Sequence, residues 1–154
     1  MRSVRAYAMA AVAVWAAAVV VSAQSKISTP AEFDKVMKAI GAANAPLQKA
    51  VQSGAFAEAK TALATIRQNF ALAETFWVAN KKDEAVKLTQ DAAAKAAALD
   101  KALGASAPDA AAVTAAFKEL GATCRNCHMG SGPGMGWRVR DAEGNYSINP
   151  EKMK

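Results

Sequence analysis

The sequence predicts an all-α chain: an antiparallel up-down four-helix bundle followed by a loop-rich C-terminal tail. Three observations predict it. Ala, Lys, Glu, Leu and Gln, all strong helix formers, dominate residues 24–128. Apolar residues recur there at helical spacing in four separate runs. No run of alternating β-branched residues appears before the tail.

The first 23 residues read as a cleaved export signal. Arg2 and Arg5 give a positive start, Ala6 to Val21 is mostly apolar, and Val21-Ser22-Ala23 supplies the small residues a signal peptidase takes. Maturation is expected at Gln24. The apolar run is short for the roughly 20 residues of a membrane span, so no stable membrane anchor is expected after removal. The expected location is periplasmic, an oxidising compartment. Arg2 and Arg5 leave with the signal and no acid does, so the formal net charge falls from +6 to +4. That mild excess favours partner proteins with acidic docking surfaces through long-range steering. Nucleic acid is not an expected partner, because no dense Lys/Arg run is interleaved with aromatics.

The first helix starts at Thr29-Pro30-Ala31-Glu32. Thr29 caps it, Pro30 fits the first helical position and Glu32 completes a capping box. Its stripe is Phe33, Val36, Met37, Ile40, Leu47 and Val51, with Pro46 as a kink position. After the Ser53-Gly54 break, Phe56, Ala59, Leu63, Ile66 and Phe70 mark the second helix, which fades near Phe76-Trp77. The third starts near Asn80, shows Ala85, Leu88, Ala92, Ala96, Leu99 and Leu103 on one face, and ends at Gly104. The fourth starts around Ser106 to Asp109, with Pro108 in its first turn. Val113, Phe117, Leu120 and Cys124 share its stripe, which Gly121 interrupts without ending. Short connections make neighbours antiparallel. One apolar face per helix fits a bundle core. The many alanines leave that core lean, and a large prosthetic group would help fill it.

These boundaries divide the chain into a signal (1–23), a four-helix domain (24–128) and a Gly-rich extension (129–154). In the extension, Trp137 to Arg140 and Tyr146 to Ile148 flank Asp141 to Asn145, the pattern of a small hairpin.

The chemistry sits in Cys124-Arg125-Asn126-Cys127-His128, a C-x-x-C-H sequence, the haem-attachment signature. Two thiols three positions apart on one helical turn can each add to a haem vinyl group. The adjacent imidazole then lies under the iron as an axial ligand. One covalent haem c is the expected cofactor. A reactive dithiol usually opens a helix after a strand, whereas this pair ends a helix with no strand before it. A structural zinc site needs four ligands, and the chain offers two cysteines and one histidine, that histidine directly after Cys127. Disulfide chemistry and metal binding are the remaining alternatives. Arg125, Arg138 and Arg140 are candidate partners for a haem propionate, since Arg suits carboxylates; a solvated surface is the alternative for each.

A C-x-x-C-H that ends the last of four helices resembles the class II c-type cytochromes, the cytochrome c′ and cytochrome c-556 group. The resemblance spans about residues 30 to 128. It rests on Gly121-Ala-Thr-Cys124-Arg-Asn-Cys127-His128 behind Ala115-Ala-Phe117-Lys-Glu-Leu120, on Val36-Met37-Lys38-Ala39-Ile40-Gly41-Ala42-Ala43-Asn44, and more weakly on Phe76-Trp77. In c-556-like members a methionine early in the first helix is the sixth iron ligand, and Met37 falls at the matching place. The resemblance therefore implies His128/Met37 ligation, which raises the potential. Taken by itself, Met37 on an apolar stripe also suits plain core packing. Met129, Met135 and Met153 are competing thioethers, although Met129 adjoins His128 and cannot readily reach the opposite haem face. Class II members are often dimers built from their first two helices, which leaves a homodimer open. The tail departs from the family pattern, because members usually end soon after the motif. Trp137 there either covers the haem edge or packs the hairpin.

A six-coordinate iron implies a one-electron carrier, not an enzyme. A five-coordinate iron implies the alternative, a cytochrome c′-like protein binding nitric oxide or carbon monoxide. A peroxidase needs distal acid–base groups, and the one histidine is already committed to the iron.

Overall fold

The computed structural model describes residues 26–130 and 136–154. The export-signal reading of residues 1–23 and the competing thioether Met135 lie outside them. Four long helices run Pro30–Ser53 (α1), Phe56–Ala79 (α2), Asp83–Leu103 (α3) and Ala110–Met129 (α4). Two short strands, Arg138–Arg140 (β1) and Tyr146–Ile148 (β2), and a last turn of helix, Pro150–Met153 (α5), complete the chain. The fold is the all-α bundle that the sequence predicts.

Local chemistry sets the helix ends. The Glu32 N–H donates to Thr29 Oγ1 at 3.3 Å, and Glu32 Oε2 accepts from the Thr29 N–H at 3.0 Å and its hydroxyl at 2.7 Å. This reciprocal box satisfies amides that have no helical partner. The hydrogen bonds from Thr29 and Ser28 hold the Glu32 carboxyl below its ordinary value. Gly54 closes α1 in the left-handed region, at φ 72°, where a side chain would be strained. Asp109 caps α4, accepting from the Ala112 N–H at 2.6 Å. Pro46 sits inside α1 without ending it. It cannot donate to the Ala42 carbonyl, and both residues are exposed, so that oxygen is open to solvent.

Three boundaries differ from the sequence expectation. α2 does not fade at Phe76-Trp77 but runs through both to Ala79. Its buried stripe, Ala59, Leu63, Ile66, Phe70, Ala73 and Trp77, keeps helical spacing to the end. α3 starts at Asp83 and not near Asn80, because Lys81 takes a positive φ of 56° that breaks the helix. Pro108 precedes the Asp109 cap and lies outside the first turn of α4. On α3, Leu88 packs half-buried against the apical cluster, and Thr89 beside it is buried too, its hydroxyl donating to the Ala85 carbonyl at 2.8 Å.

Consecutive helices pack along their lengths, whereas α1 and α4 meet only sparingly. The core falls into two clusters. A basal one holds Leu47, Leu63, Ile66, Leu99, Leu103, Val113 and Leu120. An apical one, where α1 and α3 begin and α2 and α4 end, holds Ile27, Phe33, Val36, Ala73, Phe76, Trp77, Ala85 and Trp137. Phe33 stacks on Phe76 with centroids 4.5 Å apart, and Trp77 meets Phe33 edge-on at 4.6 Å. Trp77 is 1% exposed. Trp77→Ala is therefore expected to destabilise the fold by about 3–5 kcal/mol, read from urea unfolding. A loss below about 1 kcal/mol would mean that the apical cluster refills the cavity by itself.

Candidate functional site

The last two turns of α4 carry Cys124, Arg125, Asn126, Cys127, His128 and Met129. The i, i+3, i+4 spacing puts Cys124, Cys127 and His128 on one side of the helix. All three are half-buried, while Arg125, Asn126 and Met129 are exposed. Arg125, a candidate propionate partner in the sequence, thus sits on the solvent flank of the turn. Thr123 is buried on the inner side of the same turn, its hydroxyl donating to the Leu120 carbonyl at 2.7 Å.

Both cysteines are free thiols. Burial raises the Cys124 thiol above its ordinary value. Burial, then the neighbouring Cys124 and Glu84, pushes the Cys127 thiol up to about 11. Such a pair is a poor attacking dithiol, because the thiolate is the nucleophile. The unmodified chain is expected to react with iodoacetamide at Cys127 roughly 100-fold more slowly at neutral pH than an ordinary cysteine does. A rate equal to that of free cysteine would contradict the burial argument. His128 moves the other way: burial, and then the Arg138 charge, lowers its pKa. It is therefore held as the neutral imidazole that a metal ligand requires.

Met37 lies on α1 one turn after Phe33 and is half-buried. It borders the apical cluster, and so does Cys127. The fold thus brings the two sequence candidates, 90 residues apart, to one end of the bundle. Met153 of α5 borders the same cluster and remains a rival thioether. Ile40 borders both clusters, and Phe117 borders the basal one. Met37, Ile40, Phe117, Cys124 and Cys127 are thus apolar residues of α1 and α4 left half-buried. They belong to α1 and α4, which meet far more sparingly than the helices consecutive in sequence do. That half-buried apolar strip, two free thiols and a neutral imidazole fit a covalently held flat apolar group such as haem.

The tail folds back onto this end of the bundle, which no sequence signal located. The Trp137 N–H donates to the Cys127 carbonyl at 2.9 Å, and its ring meets Trp77 at 4.9 Å. The Gly136 backbone lies directly against the His128 carbonyl, where a Cβ has no room. Asn149 is buried and clasps the turn: its side-chain amide donates to the Gly136 carbonyl at 2.9 Å and its N–H to the Trp137 carbonyl at 2.9 Å. Beyond Trp137, β1 pairs antiparallel with β2, Arg138 opposite Ile148 and Arg140 opposite Tyr146. This is the hairpin that the sequence predicts. The Arg138 guanidinium lies 3.9 Å over the Tyr146 ring. Lys152 reaches α3 through Glu84 at 3.1 Å. The Trp137 indole N–H is buried without a hydrogen-bond partner among the described residues. Asn149 and Trp137 are the residues sequence reasoning missed or left undecided, since only their long-range contacts reveal them.

Among the described residues, no three His, Cys, Asp or Glu side chains group to hold a metal ion by themselves. No described helix is long and apolar enough to cross a membrane. No family model, no curated protein and no solved structure matches the chain.

Proposed function

We propose that this chain is an exported monohaem c-type cytochrome of the class II kind that carries single electrons in the periplasm. One observation carries the reading. Cys124, Cys127 and His128 share a half-buried face at the end of α4, and Met37 reaches the same end of the bundle from α1.

Haem c, when bound, supplies an iron that gains or loses one electron. The residues of this chain do the rest. The Cys124 and Cys127 thiols would hold the group through two thioether bonds. His128, kept neutral by burial and by Arg138, would supply an imidazole nitrogen to the iron, and Met37 a thioether sulfur. The apical rings of Phe33, Phe76, Trp77 and Trp137 would exclude water from one side. A low-dielectric, rigid surround limits the rearrangement that accompanies a change of charge. Arg138 and Arg140 stand exposed on a hairpin anchored at Cys127, a placement that suits acidic redox partners.

The test is the visible spectrum of protein matured in a periplasm that contains haem-attachment machinery, oxidised and then reduced. Sharp reduced α and β bands indifferent to carbon monoxide are expected. A broad reduced spectrum that shifts with carbon monoxide would replace the carrier by the gas-binding reading. The absence of a Soret band would reject haem altogether.

A further inference from the structure

Trp137 holds an unpaired donor next to the candidate site. Its side chain is 6% exposed, yet its indole N–H is the one buried side-chain polar atom without a hydrogen-bond partner among the described residues. Its neighbours in the apical cluster are apolar: Ile27, Phe33, Val36, Phe76 and Trp77. Phenylalanine would pack such a place with no polar group to satisfy. A buried donor stripped of water needs an acceptor.

The position is not loose. The Trp137 N–H is tied to the Cys127 carbonyl and its carbonyl to Asn149, and Gly136 is wedged against His128. The ring packs against Trp77 at a steep angle, and Lys152 Nζ stands 5.2 Å from the ring. Lys152 is already paired with Glu84. The indole is therefore held rigidly beside the turn that carries both thiols, with its donor free.

We propose that Trp137 is a positioning residue whose indole N–H donates to a propionate carboxylate of the haem held at Cys124, Cys127 and His128. The inference rests on the haem reading given above. It assigns a purpose to the tail: Gly136, Trp137 and Asn149 bring to the haem an unpaired buried donor, which no described residue of the four helices offers. A carboxylate is the right acceptor, because an ionised oxygen takes an indole N–H more strongly than a neutral one does.

The experiment uses the haem-loaded full chain. The resonance Raman bending band of the propionates is compared between wild type and Trp137→Phe, which keeps the ring and removes the N–H. The band is expected to shift in Trp137→Phe while the Soret maximum stays in place. An unchanged band overturns the proposal. If Trp137→Phe does not accumulate, the wild type answers alone. In 15N-labelled protein in a diamagnetic ferrous state, the indole proton is expected to show an Overhauser contact to a propionate methylene and deuterium exchange slowed about 10-fold or more against exposed indoles. Absence of that contact overturns the proposal and leaves a water or a protein group as the acceptor. These outcomes are separate from failure of the haem reading, in which no Soret band appears and both ideas fall together.

Discussion

Cys124→Ala/Cys127→Ala, matured beside haem-attachment machinery, is expected to lose all covalently bound haem while keeping its helices. The wild-type chain run on a denaturing gel should show haem peroxidase staining, and the double variant none. Each thiol is expected to form one of the two thioether bonds, so the single variants should retain reduced staining. The substitution leaves the fold intact for a physical reason. Cys124 and Cys127 are half-buried on the last turns of α4, alanine is the best helix former, and neither thiol bridges another element. Far-ultraviolet circular dichroism checks that point. Haem that survives denaturation of the double variant would refute attachment at this motif. An unstained wild type with a disulfide between the two cysteines would select the dithiol alternative.

The second large effect is expected from Met37→Leu. Leucine conserves most of the packing volume, at a cost below about 1.5 kcal/mol, and removes the thioether. The reduced protein should pass from sharp six-coordinate bands to a broad high-spin spectrum, should now bind carbon monoxide, and should show a lower reduction potential, because thioether ligation favours ferrous iron. Met153→Leu is the control, since Met153 borders the same cluster from the tail. It should leave the spectrum unchanged. If Met153→Leu changes the spectrum and Met37→Leu does not, the sixth ligand comes from the tail. If neither does, and the wild type already binds carbon monoxide, the iron has an open site and the gas-binding reading takes over.

Much of this protein was legible before any coordinate, and what was legible shares one property. The Thr29–Glu32 box and the Gly54 stop each depend on residues within four positions, so the local chemistry decides them. The same holds for the stripes of α1 to α4 and for the common face of Cys124, Cys127 and His128. Where local reading erred, a weak local signal met a strong tertiary one. Phe76 and Trp77 look like a fading helix, but burial against Phe33 carries α2 through them to Ala79. Thr89 carries no apolar signal, yet it is buried beside Leu88, its hydroxyl satisfied by the preceding turn of its own helix.

By itself, then, the sequence determined an all-α bundle and a C-x-x-C-H turn at its last helix, because helical periodicity, capping and turn spacing need only near neighbours. The tertiary structure alone decided which distant groups meet. Met37 and Cys127 border one cluster because α1 begins where α4 ends. The α1–α4 seam is sparse, whereas the helices consecutive in sequence pack along their lengths. Trp137, flanked by glycine-rich chain with no periodicity to place it, is fixed by Cys127, Trp77 and Asn149. The raised thiols and the neutral His128 follow from the same cause, since burial is a property of the assembled bundle and not of any five-residue motif.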